Sequence, residues 1–240
     1  METEVTSVRA YLDTISKFKE TNLKEGKTPE FLFRGQAADH PLVPKLLRLN
    51  PKSDLLAIEQ QLLEEFKRAN FLLVEEHQAM NDWDYLTLGQ HYGLPTRLLD
   101  WSNNALTALW FATEQYKIEK PEPSSAIIWI LMVTEAHYLN TKENCNPFEV
   151  EETKLFRPRI IKQRINNQSG VFTVQGTASI KKALSLHEEE GFASNLLKIK
   201  IPEKCQEAVR DELNTLGVNA FSIFPELEGL CSYLQWKFFH

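Results

Sequence analysis

Arg34 stands in "FLFRGQ", residues 31–36, between a short apolar run and a glycine. A guanidinium is a rigid fork of donors matched to phosphate or carboxylate, and Gly35 lets an anion approach the backbone closely. Gln36 adds an amide to the same point. A second concentration of chemistry lies in "QHYGLPTRLLDWSN", residues 90–103. His91 titrates in the range useful for proton transfer. Thr96, Arg97, Asp100, Trp101 and Ser102 follow within a dozen residues, a polar and aromatic density unusual for a strand–helix junction. A third stretch runs from Lys154 to Arg164, with five basic residues in eleven and no acid. Arg164 and Gln168, four apart, are its strongest candidates for holding a phosphate.

Each of these residues also has an architectural reading, and at the level of sequence both stay open. Arg34 can pair with a core carboxylate such as Asp100, and Arg97 and Asp100, three apart, can pair with each other to fix the loop. His91 can cap a helix end, and Thr96 can buttress the turn. Trp101 can be a core tryptophan. Ser102 or Asp100 can cap the helix that follows, and the basic run can be a solvated face.

The elements that must position these groups follow from periodicity. Val8, Tyr11, Leu12, Ile15 and Phe18 predict a helix over 7–20. Phe31–Phe33 reads as a short buried strand interrupted at Arg34 and Gly35, with Pro41 and Pro44 keeping the next segment extended. A helix is expected over about 53–74 with Ser53 as N-cap, and another over 82–91, stopped by Gly93 and Pro95. Leu98 and Leu99 read as a short strand. Leu106, Leu109, Trp110 and Ala112 form the buried stripe of the next helix. "AIIWILMV", residues 126–133, is the strongest strand and belongs in the middle of a sheet. "GVFTVQG" and "NLLKIKIP" predict two more strands. Residues 202–217 predict a helix with Pro at its start and Gly at its end. "VNAFSIF" reads as a last strand and "PELEGLCSYLQW" as a last helix. Without a regular βαβ repeat, the fold class expected is α+β: a single domain with an irregular mixed or antiparallel sheet flanked by helices.

Composition narrows the class. The 240 residues include 42% hydrophobic and 25% charged residues, with a net charge of −6, which predicts a soluble, cytoplasmic protein rather than a general nucleic-acid binder. No membrane-length apolar run is present. The three cysteines, Cys145, Cys205 and Cys231, form no paired spacing, so reduced thiols are expected and a zinc site is not. Phosphate loops of the GxxxxGK[ST] and GxGxxG types, an HExxH motif and a GxSxG elbow are all missing from the sequence.

Taken together, "FRG" at 33–35, "HYGLPTRLLDWS" with the following "ALWFA", the downstream "RINNQSGVF" and the final "FPELEGL" resemble the Phe-Arg-Gly (FRG) domain family. The resemblance spans roughly residues 31–230 and implies an FRG domain over 31–240 preceded by a helical segment over 1–30. A weaker resemblance is to the Arg-Ser-Glu class of ADP-ribosyltransferases. There an arginine in an early strand is followed by a short polar strand and a helix with Ala and Phe-Ala at set intervals. Here Ala108 and Phe111-Ala112 stand 6, 9 and 10 residues after Ser102. That resemblance implies an ADP-ribosyltransferase-like fold and NAD as substrate or ligand. In it, Arg34, Gly35, Gln36, Thr96, Arg97, Asp100, Trp101, Ser102 and Arg164 bind NAD, and His91 and Trp101 border the nicotinamide. Gln168 stands where the class carries its glutamate and, helped by Glu226, polarises the ribose. Asp-Trp-Ser replaces the class's Ser-Thr-Ser, and a glutamine lacks the glutamate's charge. The implied activity is transfer of ADP-ribose to a nucleic-acid or protein acceptor, or hydrolysis of NAD, as in a bacterial toxin or phage-defence effector. The alternative is a non-catalytic module that recognises a nucleotide or nucleic acid.

Overall fold

An eight-residue run with no polar side chain, Ala126–Val133, is a strand with both faces buried, and the sheet is built around it. The computed structural model describes residues 2–23, 29–70, 80–114, 124–141, 146–159 and 170–239. In chain order the main elements are β1 (Glu2–Glu4), α1 (Val8–Asn22), β2 (Glu30–Gln36), α2 (Leu55–Asn70), α3 (Asp82–His91), β3 (Leu98–Ser102), α4 (Ala105–Thr113), β4 (Ala126–Val133), β5 (Lys154–Phe156) and β6 (Gly170–Val174). They continue with α5 (Thr177–Lys181), α6 (Glu190–Ala193), β7 (Leu196–Ile201), α7 (Glu203–Thr215), α8 (Ala220–Ile223) and α9 (Leu227–Phe239). The described strands form one mixed sheet in the order β1-β7-β4-β2-β3-β6-β5, with β1 parallel to β7 and the remaining pairs antiparallel. The fold is α+β.

Alternation along β4 divides the core. Ala126, Ile128 and Ile130 face a cluster completed by Phe33, Leu109, Trp110 and residues of α1 and α7. Ile127, Trp129, Leu131 and Val133 face the opposite cluster with Leu32, Leu99 and Trp101. The first face changes cover across the sheet. Over β7, β4 and β2 it is packed by α1, α4 and α7, whereas Leu98, Phe172 and Val174 of β3 and β6 meet Leu63 of α2 and Trp83 and Leu86 of α3. The boundary between the two helical groups falls at β2 and β3. These two strands share a single register pair, Phe33 with Ser102.

Two features hold this boundary. Gly35 permits the approach of α4 to β2: a Cβ at this position would lie 1.9 Å from the Ala108 carbonyl oxygen and 2.7 Å from the Ala112 nitrogen. At the start of β3, the Arg97 guanidinium and the Glu59 carboxylate are each 1% exposed and joined by Nη2–Oε2 at 2.6 Å and Nε–Oε1 at 2.9 Å. Arg97 Nη1 also donates to the Pro147 carbonyl at 3.1 Å, and the Arg97 backbone N–H donates to Glu59 at 3.2 Å. The pair thus fastens α2, the 147 turn and β3 to one another.

Several expectations are corrected. β2 does not stop before Arg34 but continues through Gln36, with Arg34, Gly35 and Gln36 all paired to β4. α2 begins at Leu55, and Asp54 rather than Ser53 receives the Ala57 N–H, at 2.9 Å. Asn104, not Ser102 or Asp100, caps α4 by accepting the Leu106 and Thr107 N–H groups. The segment expected as a last strand contains the helical turn α8, capped by Asn219 with Ser222 in a reciprocal box. The sequence reading also missed β1. β1 joins the sheet, and Tyr11 of α1 is buried with its hydroxyl on the Ala105 carbonyl. No helix among the described residues is long and apolar enough to cross a membrane.

Substitution Gly35→Ala forces a methyl against the backbone of α4, so a loss at or above about 3 kcal/mol is expected, read as a lower urea midpoint. Glu59→Ala leaves the Arg97 charge buried and alone, and the expected loss is about 3–5 kcal/mol in the same measurement. Pairing Glu59→Leu with Arg97→Met is expected to recover most of that loss, because the desolvation cost of both ions disappears together.

Candidate functional site

A strand pair that ends after one register position leaves backbone groups that need partners. Where β2 and β3 part, the Arg34 side chain crosses the gap. Its Nη1 donates to the Asp100 backbone carbonyl at 2.8 Å and lies 3.4 Å from Asp100 Oδ2. The bond to the carbonyl does what a continued ladder would have done, with a side chain in place of an amide. The Arg34 side chain is 15% exposed, and its Nε is buried with no hydrogen-bond partner among the described residues. Burial pushes the guanidinium below its ordinary pKa and Arg48 acts in the same direction, while Asp100 opposes both.

The gap opens into a pocket of about 390 Å3. It is lined by Phe33 and Gly35 of β2, Ala108 and Phe111 of α4, Gln90 and His91 at the end of α3, Asp100 and Ser102 of β3, and Phe172 of β6. Phe224, after α8, completes the aromatic wall, with its ring centroid 6.0 Å from Phe111 and 5.9 Å from Trp110. Gly229 makes this placement possible: a Cβ there would fall 1.9 Å from the Phe224 carbonyl oxygen.

A chain of hydrogen bonds sets the polar end. The Leu98 N–H donates to the buried Thr96 hydroxyl at 3.2 Å. That hydroxyl donates to Gln90 Oε1 at 2.5 Å. The other end of the amide, Gln90 Nε2, donates to Asp100 Oδ1 at 3.0 Å. The Asp100 side chain is 55% exposed, so its remaining acceptor positions stay open to a ligand. Asp100 is the one carboxylate among the described residues that line the pocket.

The structure sorts the residues singled out from the sequence. Arg34, Gly35, His91, Asp100, Trp101 and Ser102 all line this pocket. Gly35, however, makes room for the α4 backbone, which is a different reason from the close anion approach expected of it. Trp101 is 2% exposed, with its ring in the cluster of Leu32 and Leu99 and its Nε1 donating to Thr173 at 3.3 Å. Its indole is therefore a core element and offers no stacking face. Ser102 accepts the Asn104 N–H at 3.1 Å. The His91 ring lies edge-on to Tyr92 at 5.2 Å.

Gln36, Thr96, Arg97 and Glu226 are not among the lining residues. Gln36 accepts from Trp129 Nε1 at 2.9 Å. Arg97 is consumed by Glu59, which also removes the expected Arg97–Asp100 pair. Glu226 is exposed at the approach to α9, two residues beyond Phe224. Arg164 and Gln168 lie outside the described residues. In the described part of the basic run, each cation faces an acid. Arg157 bonds Glu30 at 2.9 Å and stands over the Tyr138 ring, Arg159 bonds Asp84, and Lys154 lies 3.6 Å from Glu152. This part of the run is a set of structural ion pairs rather than an open phosphate surface.

Sequence reasoning missed Gln90, Phe33, Phe111, Phe172 and Phe224. Gln90 sits directly before His91 in the dense motif and could have been taken with it. The phenylalanines carry no local signal, because their convergence depends on the seam between α3 and α4. Among the described residues there is no group of three or more His, Cys, Asp or Glu side chains able to hold a metal. No curated protein and no solved structure matches the chain. The family model described as the FRG domain matches residues 29–120, a stretch that contains β2, α3, β3 and α4 together with Arg34, His91 and Asp100. Over these residues the chain is similar to the FRG domain.

Proposed function

We propose that the pocket binds the nicotinamide mononucleotide half of NAD and that the protein cleaves the nicotinamide–ribose bond, passing ADP-ribose to a macromolecule or to water. The observation that carries this reading is the buried, unpartnered Nε of Arg34 at the open seam of β2 and β3. An unsatisfied buried donor on a charged group costs about 1–3 kcal/mol, and an anionic ligand oxygen would offset it. The rest of the pocket supports the same ligand class. Its volume of about 390 Å3 falls in the range of small-molecule sites and suits half of a dinucleotide. Its aromatic side walls suit a flat ring.

In this reading Arg34 holds a phosphate oxygen. When the glycosidic bond breaks, the electron pair leaves with the nicotinamide nitrogen and the ribose carbon gains positive character. Asp100, in the lining of the same pocket, supplies negative charge. His91, which also lines the pocket, takes the proton that the incoming nucleophile loses. The order of residues in the FRG segment, an arginine strand before a polar strand and helix, adds to this reading by its resemblance to ADP-ribosyltransferases.

Calorimetric titration of NAD into the protein, followed by assay of the mixture for free nicotinamide, tests the proposal. Saturable binding with nicotinamide release is expected. Arg34→Ala is expected to weaken NAD at least about tenfold through loss of a charge-assisted bond. Binding without release would favour the non-catalytic nucleotide module, and no binding would overturn the proposal.

A further inference from the structure

Helix α9 is apolar on two opposite sides, and only one of them meets the rest of the molecule. On the inner side Gly229 is buried, with no room for a Cβ against the Phe224 and Ala220 carbonyl oxygens, and Leu230, Tyr233 and Trp236 are half-buried. On the outer side Leu227 is 80% exposed, Leu234 40% and Phe238 71%, and Cys231 is exposed between them. With about 3.6 residues per turn, these four lie within about 60° of one another, on the side away from Gly229 and Trp236. A contiguous apolar stripe left open on a folded body marks an interaction surface.

We infer that a second copy of the chain covers this stripe, the two α9 helices packing antiparallel about a twofold axis. The spacing carries the argument. Leu227, Cys231, Leu234 and Phe238 are 4, 3 and 4 residues apart, the step of a helix–helix seam. The same steps read identically in reverse, so the stripe is complementary to itself, as a twofold contact requires. In that alignment Leu227 meets Phe238 of the second copy, and Cys231 meets its Leu234. Charge agrees with the reversed direction: Glu228 comes level with Lys237 of the second copy, whereas a parallel pair would set each charge level with its own like. Phe238, Phe239 and the two leucines offer on the order of 500 Å2 per copy, so the pair covers about 1,000 Å2, the low end for a specific contact. A lipid surface fits less well. Helices that lie on membranes carry several Lys or Arg, but Lys237 is the one cation of α9 and the net charge of the chain is −6. The inference stands apart from the proposed NAD chemistry, since none of the stripe residues lines the pocket.

Sedimentation equilibrium of the full chain under reducing conditions, over a range of concentrations, tests the pairing. A reversible dimer with a dissociation constant in the micromolar range is expected, because the contact is small. Leu234→Glu, at the middle of the stripe, is expected to weaken it at least about tenfold. Leu227→Glu is expected to do the same, and its side chain is too exposed for the fold to depend on it. Circular dichroism checks that both variants keep the wild-type fold. The direction is read by mixing Leu227→Cys protein with Phe238→Cys protein under mild oxidation. A disulfide joining residues 227 and 238 of different copies is expected in the mixture, with no 227–227 bond when Leu227→Cys is oxidised alone. A monomer at every concentration would overturn the inference, as would a dimer that survives both glutamate substitutions. Cross-linking of residue 227 to itself would overturn the antiparallel arrangement. A monomer that floats with phosphatidylcholine vesicles would assign the stripe to a lipid surface instead.

Discussion

Every backbone amide and carbonyl in a sheet must find a partner, and at the seam of β2 and β3 that requirement is met by a side chain. The ladder between the two strands lasts one register pair, Phe33 with Ser102, and the next bridge is the Arg34 guanidinium on the Asp100 carbonyl. The pocket opens beside this bridge, with Arg34 and Asp100 both in its lining. The arrangement also commits one Arg34 nitrogen to structure and leaves Nε without a hydrogen-bond partner among the described residues.

The remaining supports hold the two sides of the seam in place. Gly35 seats α4 hard against β2, which fixes Ala108 and Phe111 on one wall. The buried Glu59–Arg97 pair fixes the start of β3 relative to α2, only three residues before Asp100. Between them, Thr96 and Gln90 convert the position of the strand into the orientation of one carboxylate. Arg97 and Thr96 thus act on the site without lining it. Residues of one dense motif thus divide between anchoring the strand and facing the pocket.

What the sequence made legible follows the range of the interactions involved. Elements fixed by local pattern were readable: the unbroken apolar run of β4, the amphipathic α1, and the ends of α3 and α7, where Gly93 and Gly217 adopt positive φ. β1 was not readable, because "ETE" has no apolar signal and is a strand only by pairing with β7. "VNAFSIF" is short and apolar-rich like a strand, yet Asn219 caps a turn of helix there, and over so short a span the cap decides. At the site, the dense motif and Arg34 were visible as types. Their partners were not: Glu59 lies 38 residues before Arg97 and is one of several acids in α2.

The distribution of charge gives the last constraint. A net charge of −6 does not prevent an arginine from serving an anion, provided the local field is arranged for it. The described cations outside the seam are largely matched to acids, as Arg157, Arg159, Lys67 and Lys198 show. Arg34 makes its shorter bond to a neutral carbonyl and also pairs with the Asp100 carboxylate at 3.4 Å, whose other oxygen takes the Gln90 amide. The seam therefore keeps a positive and a negative group close together.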